Sequence, residues 1–243
     1  MLACADSFDM EQVVFPGFDF PITARVALLV VDMQPCVVGA EVGLAQAIER
    51  GAPGYTRYLT TRLREIVIPN TLRLLDAFHR VRRPVYFSAF ASATGDGRDV
   101  TTATIRYRDA ERHARTGRSV ILPRANPATD VLPELALRPG DRVLTKPSMD
   151  VFTSTRLAEE LRVGGVETLV ITGVLTDAGV ESSARHAAER GFRVVVVDDA
   201  CAAWEEAFHA ASLRTLSRYF ARIATTGEVV AGVERAAGDG GTR

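Results

Sequence analysis

VALLVVDMQ, residues 26–34, is the stretch on which the architecture turns: six consecutive aliphatic residues, Val26 to Val31, run straight into Asp32. A strand with one wet face alternates apolar and polar side chains. A run apolar at every position suits a strand covered on both faces, as in a parallel sheet. Four further segments read as strands: VYFSAF (85–90), DRVLTK (141–146), ETLVITG (167–173) and FRVVVVDD (192–199), with a weaker one near 221–224. Helical patterns fall between them, over 69–83, 153–162, 177–190 and 205–219. In the first of these, Leu72, Leu75, Phe78, His79 and Val81 share a face, and Pro69 suits the opening turn.

Strands alternating with helices imply right-handed crossovers and one doubly wound α/β domain, with an approximately six-stranded, mostly parallel sheet. Its expected extent is 25–226, after an N-terminal arm over 1–24 and before a C-terminal tail over 227–243. Residues 91–126 are polar, with three glycines and seven arginines, and read as a lid or oligomer loop.

At 243 residues, 47% of them hydrophobic, the chain can bury a core without disulfide staples. Three cysteines, Cys4, Cys36 and Cys201, form no paired framework. A net charge of −1 gives no basic surface for nucleic acid. No run is long enough to span a bilayer. The opening MLACADSFDMEQ lacks a basic segment followed by an apolar core, so a cytoplasmic location is expected. There is no glycine-rich nucleotide loop, so no cofactor is expected, and the partner is a small-molecule substrate.

Ligands of such sheets sit beyond the carboxyl ends of the strands. That rule gathers Asp32, Lys146 and the segment after 173 into one crevice. Lys146 is the only lysine, beside 28 arginines. Unlike a guanidinium, an ammonium can shift its pKa and give up a proton, so a position that resists the arginine bias points to a need for an amine. A carboxylate and an ammonium sharing a crevice can hold and pass a proton. In GVLTDAGVESSARHA (173–187), Thr176 or Asp177 can cap a helix, and backbone N–H groups near Ala178 and Gly179 suit an anion or oxyanion.

VALLVVDMQ (26–34), LTKPSMDVFTST (144–155) and VITGVLTDAGVESSARHAAERGFRVVVVDDA (170–200) together resemble the isochorismatase-like, or cysteine hydrolase, superfamily over about residues 24–225. The resemblance implies that Asp32 and Lys146 are two members of an Asp–Lys–Cys triad. The third position, in the pattern G-V-x-T-x-x-C-V, is Gly179, so thiolate chemistry from it is excluded. True isochorismatases are similar in carrying glycine there: an aspartate protonates a vinyl ether and water attacks the resulting cation. The resemblance therefore implies hydrolysis with Asp32 as proton donor or base, Lys146 tuning it, and the backbone at Val174, Leu175 and Ala178 holding negative charge. It also implies a cis Val174–Leu175 peptide.

TDAGVESSARHA is closer to the amide-cleaving branch, which makes a carbon–nitrogen hydrolase, natural variant or Cys-to-Gly mutant, the first alternative. A catalytically silent ligand- or partner-binding relative is the second. Cys36 is weighed as a relocated nucleophile. Gln34, Phe152, Thr176 and Trp204 are the candidate substrate-binding residues, and arginines of 98–124 could meet a carboxylate. No metal is expected, because FSAFASATGDG (87–97) lacks the histidine of metal-binding relatives. A homodimer or homotetramer is the expected assembly.

Overall fold

The computed structural model describes residues 19–239, so residues 1–18 of the expected arm and 240–243 of the expected tail lie outside it. Six strands form one all-parallel sheet: β1 (Val26–Val31), β2 (Val85–Phe90), β3 (Arg142–Lys146), β4 (Thr168–Val174), β5 (Arg193–Ala202) and β6 (Arg222–Ala224), in the order β3-β2-β1-β4-β5-β6. This is the doubly wound order, and its switch point lies between β1 and β4. The two strands pair from Val26 with Thr168 to Val31 with Gly173, so their carboxyl ends finish side by side.

Every residue of β1 is buried, and its period-two alternation divides them between two cores. Val26, Leu28 and Val30 pack on one face with Leu59 of α3 (Arg57–Arg62), Leu74 and Phe78 of α4 (Ile68–Arg80), and Val229 and Val233 of α9 (Thr226–Asp239). Ala27, Leu29 and Val31 pack on the other with Leu157 and Leu161 of α6 (Leu157–Val163), Ala184 and Ala187 of α7 (Glu181–Glu189), and Leu213 and Leu216 of α8 (Glu206–Tyr219).

Four expectations change. The tail over 227–243 is instead helix α9 as far as Asp239, anchored through buried Val229 and Val233. The polar connection 91–126 carries its own helix, α5 (Ala103–Thr116), ended by Gly117 in the left-handed conformation. The helix placed at 69–83 runs on from α3 through a wide π turn, Leu63–Val67. A widened turn accommodates Pro69, which has no N–H and would crowd the carbonyl four residues back. Its buried face is Thr71, Leu74, Leu75 and Phe78, while Leu72 lies exposed. Helices α1 (Pro35–Val38), α2 (Gly43–Gly51) and α3 fill a stretch to which the sequence reading assigned nothing.

Candidate active site

Asp32 leaves β1 with a φ of +48°, the left-handed region that an aspartate tolerates better than most residues. Its N–H donates to Ser88 O at 3.1 Å. On its side chain, Oδ1 accepts the Ser88 hydroxyl at 2.7 Å and Oδ2 accepts Lys146 Nζ at 2.7 Å. Lys146 is fully buried, and its ammonium has two further acceptors, Ser148 O at 3.0 Å and Met149 O at 2.9 Å. All three of its protons are therefore committed. A buried ion pair survives only with such compensation, and removal of one partner strands the other charge.

The turn after β4 closes the site. Val174–Leu175 is cis, as the resemblance implied, and Thr176–Val180 forms a π turn ahead of α7. Gly173, at φ +114°, has no room for a side chain: a Cβ there would lie 2.2 Å from Val31 O. That absence lets β4 pass tightly against β1. Gly179 is crowded for a different reason, since a Cβ on it would stand 2.9 Å from both Asp32 Oδ2 and Val31 Cγ1. The carboxylate thus occupies the space that a side chain at 179 would need.

Asp32 and Gly179 open into a cavity of about 470 Å³, walled by Val174, Leu175 and Ala178 with Trp204, Phe90 and Met149. Helix α5 covers another side with Ile105, Arg108 and Arg112. Neither guanidinium has a hydrogen-bond or ion-pair partner among the described residues. The neighbouring Asp109 is instead tied into the fold by Ser119 Oγ and by Val120 N at 2.7 Å. Asp177 also lines the cavity; burial holds its carboxyl above the ordinary range, with a hydrogen bond from its own backbone opposing and the Glu181 charge adding to it.

The predicted site residues divide. Asp32, Lys146 and Gly179 come together, and Val174, Leu175, Ala178 and Trp204 wall the same cavity. Three of the substrate candidates are otherwise employed. Gln34 is fully buried, its amide donating to Thr129 O at 2.5 Å and Phe90 O at 3.2 Å while Oε1 accepts Phe90 N at 2.7 Å. Phe152 stacks on Phe192 in the core, 6.4 Å between ring centres. Thr176 is fully buried against His209. Ala178 is poorly suited as an oxyanion donor, since its N–H already reaches Leu175 O at 3.0 Å.

Cys36 does line the cavity, but burial first and the Asp32 charge second push its thiol up to about 12, the opposite of what a nucleophile needs. Cys201 is fully buried, and burial likewise raises its thiol to about 12. Ser88 escaped the sequence reading, because a lone serine in an apolar strand carries no signal until the register sets it beside Asp32. Among the described residues no group of three or more His, Cys, Asp or Glu side chains converges as a metal site would.

A family model, the Isochorismatase domain, matches residues 26–228. The Bacillus subtilis isochorismatase family protein YwoC is 30% identical over 67% of this chain and 80% of its own length. The ureidoacrylate amidohydrolase RutB of Methylobacterium radiotolerans is 39% identical over 35% of this chain and 34% of its own length. The chain spans about half or less of the length of seven further relatives, among them YecD of Escherichia coli and PhzD1 of Pseudomonas aeruginosa. Among solved structures, a cysteine hydrolase from Pseudomonas syringae pv. phaseolicola superposes with a TM-score of 0.72 at 26% identity, covering 91% of this chain and 98% of that one.

Proposed function

This chain belongs to the isochorismatase family of hydrolases, and from that premise we propose that it cleaves a small carboxylate-bearing metabolite by acid–base chemistry at the Asp32–Lys146 pair, without a covalent enzyme intermediate. One observation carries the reading. The Asp32 carboxylate fills the space where a side chain at 179 would stand, 2.9 Å from its ideal Cβ. The one thiol among the cavity's described lining residues, Cys36, is held at about 12.

With neither thiolate nor hydroxyl in play, the reaction that suits these groups begins with proton transfer, and vinyl-ether hydrolysis does. The proton shared over 2.7 Å between Nζ and Oδ2 passes from Oδ2 to the terminal vinyl carbon. The ether carbon becomes an oxocarbenium ion and water adds to it. That water's released proton restores the pair, and the hemiketal collapses to a ketone and an alcohol. Arg108 and Arg112, without a partner among the described residues, supply donors for the carboxylate, as guanidinium forks do. Trp204 offers an apolar wall.

The RutB match favours a second reading, carbon–nitrogen hydrolysis in which Asp32 acts as the base for an attacking water. Side-by-side assay of isochorismate and ureidoacrylate separates the two. The first reading expects pyruvate from isochorismate and no turnover of ureidoacrylate; ammonia from ureidoacrylate alone would establish the second. Tight binding of either compound without turnover would make the chain a silent relative. A cytoplasmic location and a homodimeric or homotetrameric assembly are part of the proposal.

A further inference from the structure

The turn Thr176–Val180 is held by a second polar cluster, in which Thr176 and His209 are buried and Asp198 is half exposed. Thr176 Oγ1 lies 2.8 Å from His209 Nδ1 of α8. His209, only 5% exposed, sets Nε2 2.8 Å from Asp198 Oδ1 of β5. Arg62, at the end of α3, braces the group: Nη2 donates to Asp198 O at 3.0 Å and Oδ1 at 3.3 Å, and Nε donates to Cys201 O at 3.0 Å. The same Nη2 stands 3.1 Å from His209 Nε2.

A carboxylate can only accept, so Nε2 carries the proton toward Asp198, and Nδ1 shares a hydrogen bond with the Thr176 hydroxyl. The hydrogen bond from His209 is the main reason that the Asp198 carboxyl lies below the ordinary range, with burial opposing and Arg62 adding to it. Hydroxyl, imidazole and carboxylate in sequence make the chain of a hydrolytic triad. Thr176, however, is fully buried and absent from the cavity wall, so its oxygen does not meet a substrate. What the cluster does reach is the turn whose next three residues, Asp177, Ala178 and Gly179, line the cavity.

We propose that His209 is a positioning residue: its bond to Thr176, braced by Asp198 and Arg62, fixes the turn so that Gly179 stays seated against the Asp32 carboxylate. The inference rests on reading that turn as part of the catalytic centre. Its test uses the full chain as Thr176→Val, Thr176→Ser, His209→Leu and His209→Asn, followed by amide hydrogen exchange, thermal unfolding and isochorismate hydrolysis.

Loss of one buried hydrogen bond should speed exchange of the 175–181 amides about tenfold in Thr176→Val and His209→Leu, with β1 and β4 unchanged. Their kcat should fall by about tenfold with KM within about twofold, the signature of an interaction that matters in the transition state. Thr176→Ser keeps the hydroxyl, and His209→Asn keeps an acceptor on a shorter side chain, so both should stay closer to the parent. Thr176→Val is nearly isosteric and serves if His209→Leu does not fold. Native exchange across 175–181 in Thr176→Val would overturn the proposal, as would faster exchange spread evenly over the sheet. If isochorismate is not hydrolysed by the parent chain, the functional reading fails, and the exchange result still decides the role of His209.

Discussion

Two charged clusters flank the turn after β4, one fully buried around Lys146 and one half-exposed at Asp198, and only the first faces the cavity. In the first, Lys146 has every proton committed and Asp32 stands at the cavity wall with Ser88 on its other oxygen. In the second, Asp198 Oδ1, His209 and Arg62 are joined to one another, to Thr176 and to backbone carbonyls; the Asp198 side chain is half exposed, and none of the three lines that cavity. Titratable groups of similar kind thus serve two ends. What separates chemistry from support is whether a charged oxygen is left facing a space large enough for a ligand, rather than how many charges converge.

The largest effect expected from breaking this contrast is at the first cluster. Asp32→Asn keeps the side-chain shape and tolerates the left-handed backbone, so it should remove a proton-transfer contribution of roughly 10²–10⁴-fold in kcat. Lys146→Met should lose activity too, and also about 3–5 kcal/mol of stability, because it strands a buried carboxylate. Asp32→Asn also takes the counter-ion from the buried Lys146 ammonium, so chemical denaturation should show a stability loss in both variants. The kcat of the folded Asp32→Asn protein is the test, and a value within a few-fold of the parent would make that residue structural.

Next in size is Gly179→Cys. Its Cβ meets Asp32 Oδ2 and Val31 Cγ1 at 2.9 Å, so the carboxylate must move off the Lys146 ammonium or the turn must lift. Overpacking of this kind costs about 1–3 kcal/mol, and the native reaction should slow by about tenfold or more. A gain in ureidoacrylate hydrolysis with nothing native to lose would mark the chain as a disarmed cysteine hydrolase.

Arg108→Ala and Arg112→Ala should each raise KM about tenfold, the value of one hydrogen bond to a charged group, and leave kcat within a few-fold. An unchanged KM in both would remove the carboxylate from the account. The smallest effect is Cys36→Ser, expected within about twofold of the parent. A thiol at about 12 is protonated through the working pH range, so iodoacetamide at pH 8 should leave activity intact. Inactivation that tracks alkylation of Cys36 would restore it as a nucleophile.

Much of this was legible in the chain. Unbroken apolar runs identified buried parallel strands, and the strand-end rule set Asp32, Lys146 and Gly179 in one crevice before any distance was known. What escaped depends on register and on long-range packing. Gln34 sits two residues from Asp32 and reads as a site residue, yet it sits over β2 and spends its amide on Phe90 and Thr129. Phe152 follows the lysine motif but turns into the core against Phe192. His209 looked like one of four scattered histidines, because its partners lie 33 and 11 residues away in the chain. The helix at 226–239 was masked by glycines and alanines that give little periodic contrast, although Val229 and Val233 at i and i+4 carry its buried face.

The central claim is that the Asp32–Lys146 pair, and no covalent nucleophile, delivers a proton to substrate carbon. Isochorismate hydrolysis in deuterium oxide tests it directly, by mass analysis of the pyruvate formed by the parent chain and by Asp32→Asn. One solvent deuterium in the pyruvate methyl group, formed by the parent and lost by about a hundredfold or more in the variant, is the predicted result. Pyruvate production by Asp32→Asn within a few-fold of the parent would contradict it.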